Sequence, residues 1–336
     1  MRRGLIAGGN WIIDHVKVID AWPAQDTLVS IVRQSSSNGG SPYNILLDLA
    51  RLGAAFPLAG IGLVGDDENG RSILADCRAH HIDIRQLRTT PEVATSYTDV
   101  MTVEGTGRRT FFHQRGANAL LDVEHFDFQG THARLFHLGY ALLLDRLDTL
   151  DAGQPRACRV LQAAKTAGLR TSLDCVSETG DRFQTIVRPM LPHVDILFAN
   201  DFEAEKLTGI PLRGGDAINP TAVAEAARAL LSCGVQSWAI IHFPEAVHAS
   251  HVSGQSLWQP SLRVPPAKIA GAAGAGDALA AGILFGVHED WPMAKSLKVG
   301  VAAAAASLFE PTCSAGVGSL ETCLALADRL GYNPEL

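Results

Sequence analysis

Between residues 135 and 242, short apolar runs alternate with stretches whose apolar residues recur at helical spacing, and this alternation restricts the fold more than any other feature of the chain. Residues 135–138, 171–175, 195–199 and 237–242 read as strands, while 157–168, 201–207 and 221–233 read as helices, the second stopped by Gly209. Strands separated by amphipathic helices build a mostly parallel sheet covered on both faces, an α/β fold. Ligands then belong at the carboxyl ends of the strands. A strand over 5–7, ended by Gly8 and Gly9, and a closing helix pair over 278–287 and 293–309 extend the same plan. At 336 residues the chain is either one large domain with an accessory piece or two domains.

The accessory piece has its own pattern. Residues 15–33 read as an exposed ribbon bent at Pro23, and 88–115 as a second one: 96–104 alternates, 105–107 turns, 109–113 returns, and 116–118 ends the hairpin. Residues 34–42 form a polar loop feeding a helix that Ser41 can cap and Pro42 can start, with Ile45, Leu46, Leu49 and Leu52 at helical spacing and Gly53 as stop. Gly39, Gly40 and Asn44 stand at that helix start, and Asn10 and Asp14 interrupt an apolar patch upstream. The helix start reads equally as a cap and as a ligand contact, whereas Asn10 and Asp14 read first as a turn Asn and a strand-edge Asp and only then as ligand contacts.

The heptad 271–277 has glycine at 271, 274 and 276, ends in Asp277, and is followed by an apolar run without proline. Glycine supplies backbone freedom, and the run behind has strong helix formers, so the heptad opens a helix. Its first amides lack intrahelical partners, so Gly274, Ala275 and Gly276 can cradle an anion beside Asp277. A carboxylate next to a bound phosphoryl group is what phosphoryl transfer needs. The same heptad also reads as a glycine-rich loop with a capping aspartate. At a helix N-terminus, Asp277 is expected to have a pKa at or below about 3.9.

Other classes are excluded. Hydrophobic residues make up 47% and charged residues 19%, which rules out wholesale disorder, and a net charge of -7 argues against nucleic-acid or membrane partners. Six cysteines without a Cys-x-x-Cys pair fit a reduced, cytoplasmic protein, and no apolar run reaches transmembrane length. Gly60, Gly62 and Gly65 match the dinucleotide fingerprint formally, but the turn-forming residues 66–70 follow, with a helix beginning only near Arg71. His248 and His251 lack the spacing of a helical zinc pair, His80 and His81 fall on a surface helix, and no Gly-Lys dipeptide exists for a Walker A loop.

Taken together, the Gly39-Gly40-x-x-x-Asn44 helix start, the turn 65–70, Asn200-x-x-Glu203 and Gly274-x-Gly276-Asp277 resemble the ribokinase-like, or PfkB, carbohydrate kinases over nearly the whole chain. The resemblance implies a three-layer α/β/α sandwich of about nine strands, with a small β-sheet lid from about 12–34 and 88–116 on a single kinase domain. It implies ATP and Mg²⁺. Asp277 corresponds to the catalytic base, Gly274, Ala275 and Gly276 to the anion hole, and Asn200 and Glu203 to the pair that organises magnesium and phosphate. Asn10, Asp14, Gly39, Gly40 and Asn44 correspond to sugar-binding positions, and Asn118 and Arg115 are further candidates. Lids of such kinases often pair, so a homodimer is expected.

Three departures stand out. Gly271 and Ala272 replace an Asp-Thr pair tied to a monovalent-cation site, which argues against potassium activation. The stretch 242–247 replaces a glycine-bearing nucleotide loop, and the last long helix lacks an Asn often found near adenine. Arg108, Arg109 and Arg115 flank the lid, where an Arg facing the pocket suits a carboxylate or phosphate on the sugar and one facing solvent a surface salt bridge. A nucleoside is the rival substrate, with Trp11 and Phe112 as stacking groups or as lid packing. A non-catalytic sugar sensor and an NAD oxidoreductase are the readings outside the kinase class.

Overall fold

The computed structural model describes residues 2–106 and 108–336. In chain order the principal elements are β1 (Leu5–Gly9), β2 (Ile12–Ile19), β3 (Ile31–Gly39), α1 (Ser41–Arg51), β4 (Leu58–Gly65), α2 (Glu68–Ala79), β5 (Asp83–Thr90), β6 (Ser96–Val103), β7 (Arg109–Gln114) and β8 (Leu135–Ala141). They continue as α3 (Ala157–Thr166), β9 (Arg170–Cys175), β10 (Ile196–Asn200), α4 (Asp201–Thr208), α5 (Pro220–Ser232), β11 (Trp238–His242), β12 (Ala246–His251), β13 (Ser256–Pro260), α6 (Ala275–His288), α7 (Met293–Ser307) and α8 (Leu320–Leu330).

A nine-stranded sheet has the order β13-β12-β11-β10-β9-β8-β1-β4-β5. All neighbours from β11 to β5 are parallel; β12 pairs antiparallel with β11 and β13 antiparallel with β12, so β12 alone runs against the other strands. The central strands are apolar on both sides because each side meets a helix layer. Ile45, Leu49, Leu279, Ile283 and Val301 from α1, α6 and α7 fill one core. Leu161, Val223, Leu230 and Leu207 from α3, α5 and α4 fill the other. This is the expected three-layer sandwich.

A separate four-stranded sheet, β3-β2-β6-β7, stands at the carboxyl end of β1. It is antiparallel at both edges and parallel between β2 and β6. The polar residues 34–39, expected as a loop, are strand: Ser35, Ser36 and Ser37 pair with Val16, His15 and Asp14. Pairing on a half-exposed face tolerates a polar run that sequence alone reads as loop. Conversely, residues 88–90 lie in β5 of the large sheet, so the second ribbon begins at Ser96. The turn expected at 105–107 includes residue 107, which lies outside the described residues.

The turn 66–70 is a helix start. Asp67 accepts from Gly70 N at 2.8 Å and Thr95 N at 2.7 Å, and α2 begins at Glu68 rather than near Arg71. Gly60 and Gly62 serve packing: a Cβ there would stand 2.7 Å and 2.2 Å from the Trp11 indole. His80 falls just past α2 as its cap, and His248 lies in β12, bonded to Ser250 Oγ at 2.9 Å. The β12–β13 hairpin and α8, which close the sheet edge and the helix layer, were not foreseen.

Candidate active site

A cleft of about 1450 Å³ opens between the carboxyl ends of the strands and the inner face of the small sheet. Three helix N-termini converge on it, and local sequence explains each. Gly40, at φ 95°, caps α1 in place of the expected Ser41; Ser41 is the first helical residue, with Pro42 second, and turns its hydroxyl to Asp174. Asn200 caps α4 by accepting from Glu203 N at 2.8 Å, while Glu203 Oε2 accepts from Asn200 N at 2.9 Å, a reciprocal capping box. Gly274, at φ 78°, caps α6, where a Cβ would stand 2.2 Å from the Cys313 carbonyl oxygen. The first intrahelical bond of α6 is donated by Ala278 to Gly274 O at 2.9 Å. The amides of Gly276 and Asp277 precede that bond, which leaves them available to an anion.

Asp277 is buried at the centre. Its Oδ2 accepts from Asn44 Nδ2 at 2.7 Å, and the Tyr140 hydroxyl donates to Oδ1 and Oδ2 at 2.8 Å and 2.7 Å. Asn10 reaches the same place: its Oδ1 accepts from Tyr140 N at 2.9 Å. Asp14 receives the Cys313 thiol at 3.3 Å, and a Cβ on Gly39 would stand 2.3 Å from Asp14 Oδ2. Asn10, Asp14, Gly40, Asn44, Asn200, Glu203 and 274–277 all line the cleft.

Three expected contacts are not among the residues lining it: Gly39 packs against Asp14, and two more are held elsewhere. Asn118 is fully buried and clamps the Trp11 backbone, accepting from its N and donating to its O at 3.1 Å each. Arg115 pairs with Asp145 at 3.0 Å and donates to Leu142 O at 3.1 Å. The stacking candidates are also placed elsewhere. Trp11 is core, its Nε1 donating to Ile61 O at 2.9 Å, and Phe112 stacks on Trp22 with centroids 6.2 Å apart. Of the lid arginines, Arg109 and Arg33 line the cleft. Arg33 pairs with Glu104 at 3.4 Å, whereas Arg109 has no carboxylate partner among the described residues.

Sequence reasoning missed Tyr140 and Asp174 as site residues. Both stand at carboxyl ends of expected strands, where the topology rule points. Ser41 Oγ donates to Asp174 Oδ2 at 2.9 Å, and His137 Nε2 lies 3.0 Å from Ser41 Oγ. Asp174 Oδ1 is buried and meets no hydrogen-bond partner among the described residues. His242, noted only as part of an altered loop, ends β11 beside Asn200 and lies 3.3 Å from a Cβ placed on Gly276.

These acids share a poorly hydrated space. Asp277 lies well above the ordinary carboxylate range, because burial and the Asp174 charge outweigh the bonds from Tyr140 and Asn44. This corrects the expectation of about 3.9 or lower: the helix N-terminus is local, while burial and the acidic neighbour come from distant segments. Burial likewise pushes Asp14 up to about 6 and Glu203 up to about 7. His242 is pulled down to about 4 by burial and is neutral at physiological pH.

The arrangement places a buried carboxylate, the amides at a helix start, and a group of side-chain amides and carboxylates around one cleft. The sequence matches the pattern of the pfkB family of carbohydrate kinases over residues 9–319. It is 31% identical over 209 residues to an ATP-dependent ribose-1-phosphate kinase of Halopiger xanaduensis, covering 62% of this chain and 64% of that protein. It is 24% identical over 295 residues to a 5-dehydro-2-deoxygluconokinase of Clostridium perfringens, covering 84% and 81%. The matches to the Halopiger enzyme and to rice fructokinase-1 thus span somewhat less than two thirds of those proteins. The fold is that of ribokinase from Thermotoga maritima, with TM-score 0.79, 18% identity, and 97% and 99% coverage. It also matches Arabidopsis thaliana ribokinase complexed with ribose and ATP, with TM-score 0.75, 19% identity, and 97% and 99% coverage. With the sequence pattern extending over nearly its whole length, the chain belongs to the pfkB carbohydrate kinase family.

Proposed function

We propose that this protein transfers the γ-phosphoryl group of ATP to a hydroxyl of a small carbohydrate. The observation that carries the reading is Asp277 in the first turn of α6, hydrogen-bonded by Asn44 and adjoining helix amides that have no intrahelical partner. Asn10, Asp14 and Asn44 hold the sugar, amides and carboxylates each engaging vicinal hydroxyls. The acceptor hydroxyl approaches Asp277, which takes its proton as the new oxygen–phosphorus bond forms. The amides of 274–276, that of Ala275 giving up its 3.4 Å bond to Ala272 O, carry charge on the transferring group, and a loose transition state needs little nucleophilic push. Beside them Leu279, Val301, Ala304 and Ala305 give the cleft an apolar wall suited to the nucleotide base.

Asp174, Asn200 and Glu203 supply hard oxygen donors, and the unpartnered, buried Asp174 Oδ1 fits a Mg²⁺ ion that keeps several of its waters. When bound, the ion neutralises charge on the phosphoryl oxygens. Gly271 and Ala272 offer no side-chain oxygen, which argues against potassium activation. The unpaired Arg109 suits a carboxylate or phosphate on the sugar. The burial of Trp11 and the outward stacking of Phe112 remove the two stacking groups that would have favoured a nucleoside. The small sheet acts as a lid and pairs two chains, and six free cysteines fit the cytoplasm.

The test is ADP release from Mg–ATP across a panel of neutral and acidic sugars and nucleosides. Asp277→Asn lowers kcat by about 10²-fold or more with sugar affinity nearly retained. In the parent protein kcat rises with pH through a value above the ordinary carboxylate range, because protonated Asp277 cannot accept the hydroxyl proton. Near-parental kcat in Asp277→Asn refutes the assignment.

A further inference from the structure

The Tyr140 phenol makes with Asp277 the contact that an acceptor hydroxyl has to make. Its oxygen stands 2.8 Å from Oδ1 and 2.7 Å from Oδ2, within the reach required between a base and the proton it accepts. The tyrosine projects from the end of β8, where Asn10 Oδ1 holds its amide. Around it the bonding is uneven. Asn10 Nδ2 and Asn44 Oδ1 are buried and meet no protein group among the described residues. Asp277, by contrast, has both oxygens engaged, and Asn44 contributes only one of those bonds. The chain therefore satisfies its base internally and leaves the amides that surround it open.

Asn44 keeps its bond to Oδ2, but loss of the phenol leaves the buried Oδ1 without a donor, and such an oxygen draws in water. That water would lie beside the free amides of α6. We infer that Tyr140 is a specificity-determining residue that occupies the acceptor position until a sugar displaces it, and so discriminates against water as phosphoryl acceptor. The inference rests on Asp277 being the base of a kinase.

A sugar hydroxyl replaces one O–H donor on the carboxylate by another, a nearly even exchange. The rest of the sugar then gains contacts to Asn10, Asp14 and Asn44, which carry the displacement. Water makes the first contact but none of the others, and cannot compete with a phenol tethered to the chain. Without the phenol the hydrolytic step becomes available. The water oxygen bonds to the γ-phosphorus, the bond from that phosphorus to the β–γ bridging oxygen breaks, the water proton passes to Asp277, and ADP and phosphate leave.

The experiment measures ADP release from Mg–ATP with no sugar present. Tyr140→Phe raises this rate about tenfold or more over the parent, since the ring remains and only the hydroxyl is lost. The double variant Tyr140→Phe/Asp277→Asn shows no rise, which places the effect at the base and not in general loosening. Thermal melts establish that each variant is folded, and Tyr140→Met repeats the comparison should the phenylalanine variant fail to fold. An unchanged rate in a folded Tyr140→Phe overturns the inference, as does a rise that survives Asp277→Asn. A parent protein that gains one phosphoryl mass on Tyr140 in Mg–ATP also overturns it, because the phenol would then be an acceptor and not a placeholder. Failure of the kinase reading looks different: the parent then releases no sugar-dependent ADP anywhere in the panel.

Discussion

Asp14→Asn gives a test of how the cleft stores instability. Asp14 is 7% exposed, and burial lifts its carboxyl from an ordinary 3.8 to about 6, the Cys313 thiol offsetting only part of the rise. The sign follows from linkage. Below 3.8 the carboxyl is protonated in folded and unfolded chains alike and has no effect. Between 3.8 and about 6 the unfolded chain loses its proton first, so folded stability falls as pH rises. Above about 6 the full difference is present, about 3 kcal/mol at about 1.4 kcal/mol per pH decade. Asparagine keeps the shape and can still accept from Cys313 without a charge to bury. Reversible urea denaturation followed from about pH 4.5 to about pH 8 should show the variant gaining on the parent by about 2 kcal/mol across that range. Curves that stay parallel refute the argument, since they would mean that Asp14 ionises as readily in the cleft as in the unfolded chain. A carboxylate kept at this cost is expected where it binds a ligand.

Gly274→Ala forces a side chain into a left-handed position and against the Cys313 carbonyl, so it should cost more than about 2 kcal/mol of stability, read by denaturant midpoint. Equal midpoints would show that the α6 start relaxes freely. Arg109→Gln should raise KM for acidic sugars about tenfold or more while leaving neutral sugars unaffected, and equal effects on both would remove Arg109 from substrate recognition. Ile31, Val32 and Phe112 on the small sheet and Trp22 on the β2–β3 connection are exposed, and the sheet edges β3 and β7 have no strand partner among the described residues, so light scattering should report twice the 35.7 kDa chain mass. A monomer mass at working concentration refutes pairing of the lids.

The sandwich was legible because its signals are local. The apolar runs at β8, β10 and β11 and the helical spacing of α3, α4 and α5 need only neighbours to be read. The helix starts near Ser41, Asn200 and Gly274 were legible for the same reason, since a cap is decided within about four residues, although the α1 cap proved to be Gly40 and not Ser41. The polar strand β3 was not, because residues 34–39 become strand only when β2 lies alongside. Gly60 and Gly62 look like a dinucleotide fingerprint until the Trp11 ring that requires them is in place.

The candidate site divides along the same line. Sequence by itself determined the sandwich, the motif order and an Asp277 beside free amides, because short-range backbone geometry dictates all three. Only tertiary structure decided what surrounds that carboxylate. It brings Asn44 from 233 residues away and Tyr140 from 137, withdraws Arg115 and Asn118 into structural bonds, and sets Asp174 close enough to lift the Asp277 pKa. Burial and charge are properties of the assembled space around a residue, and no local pattern contains them.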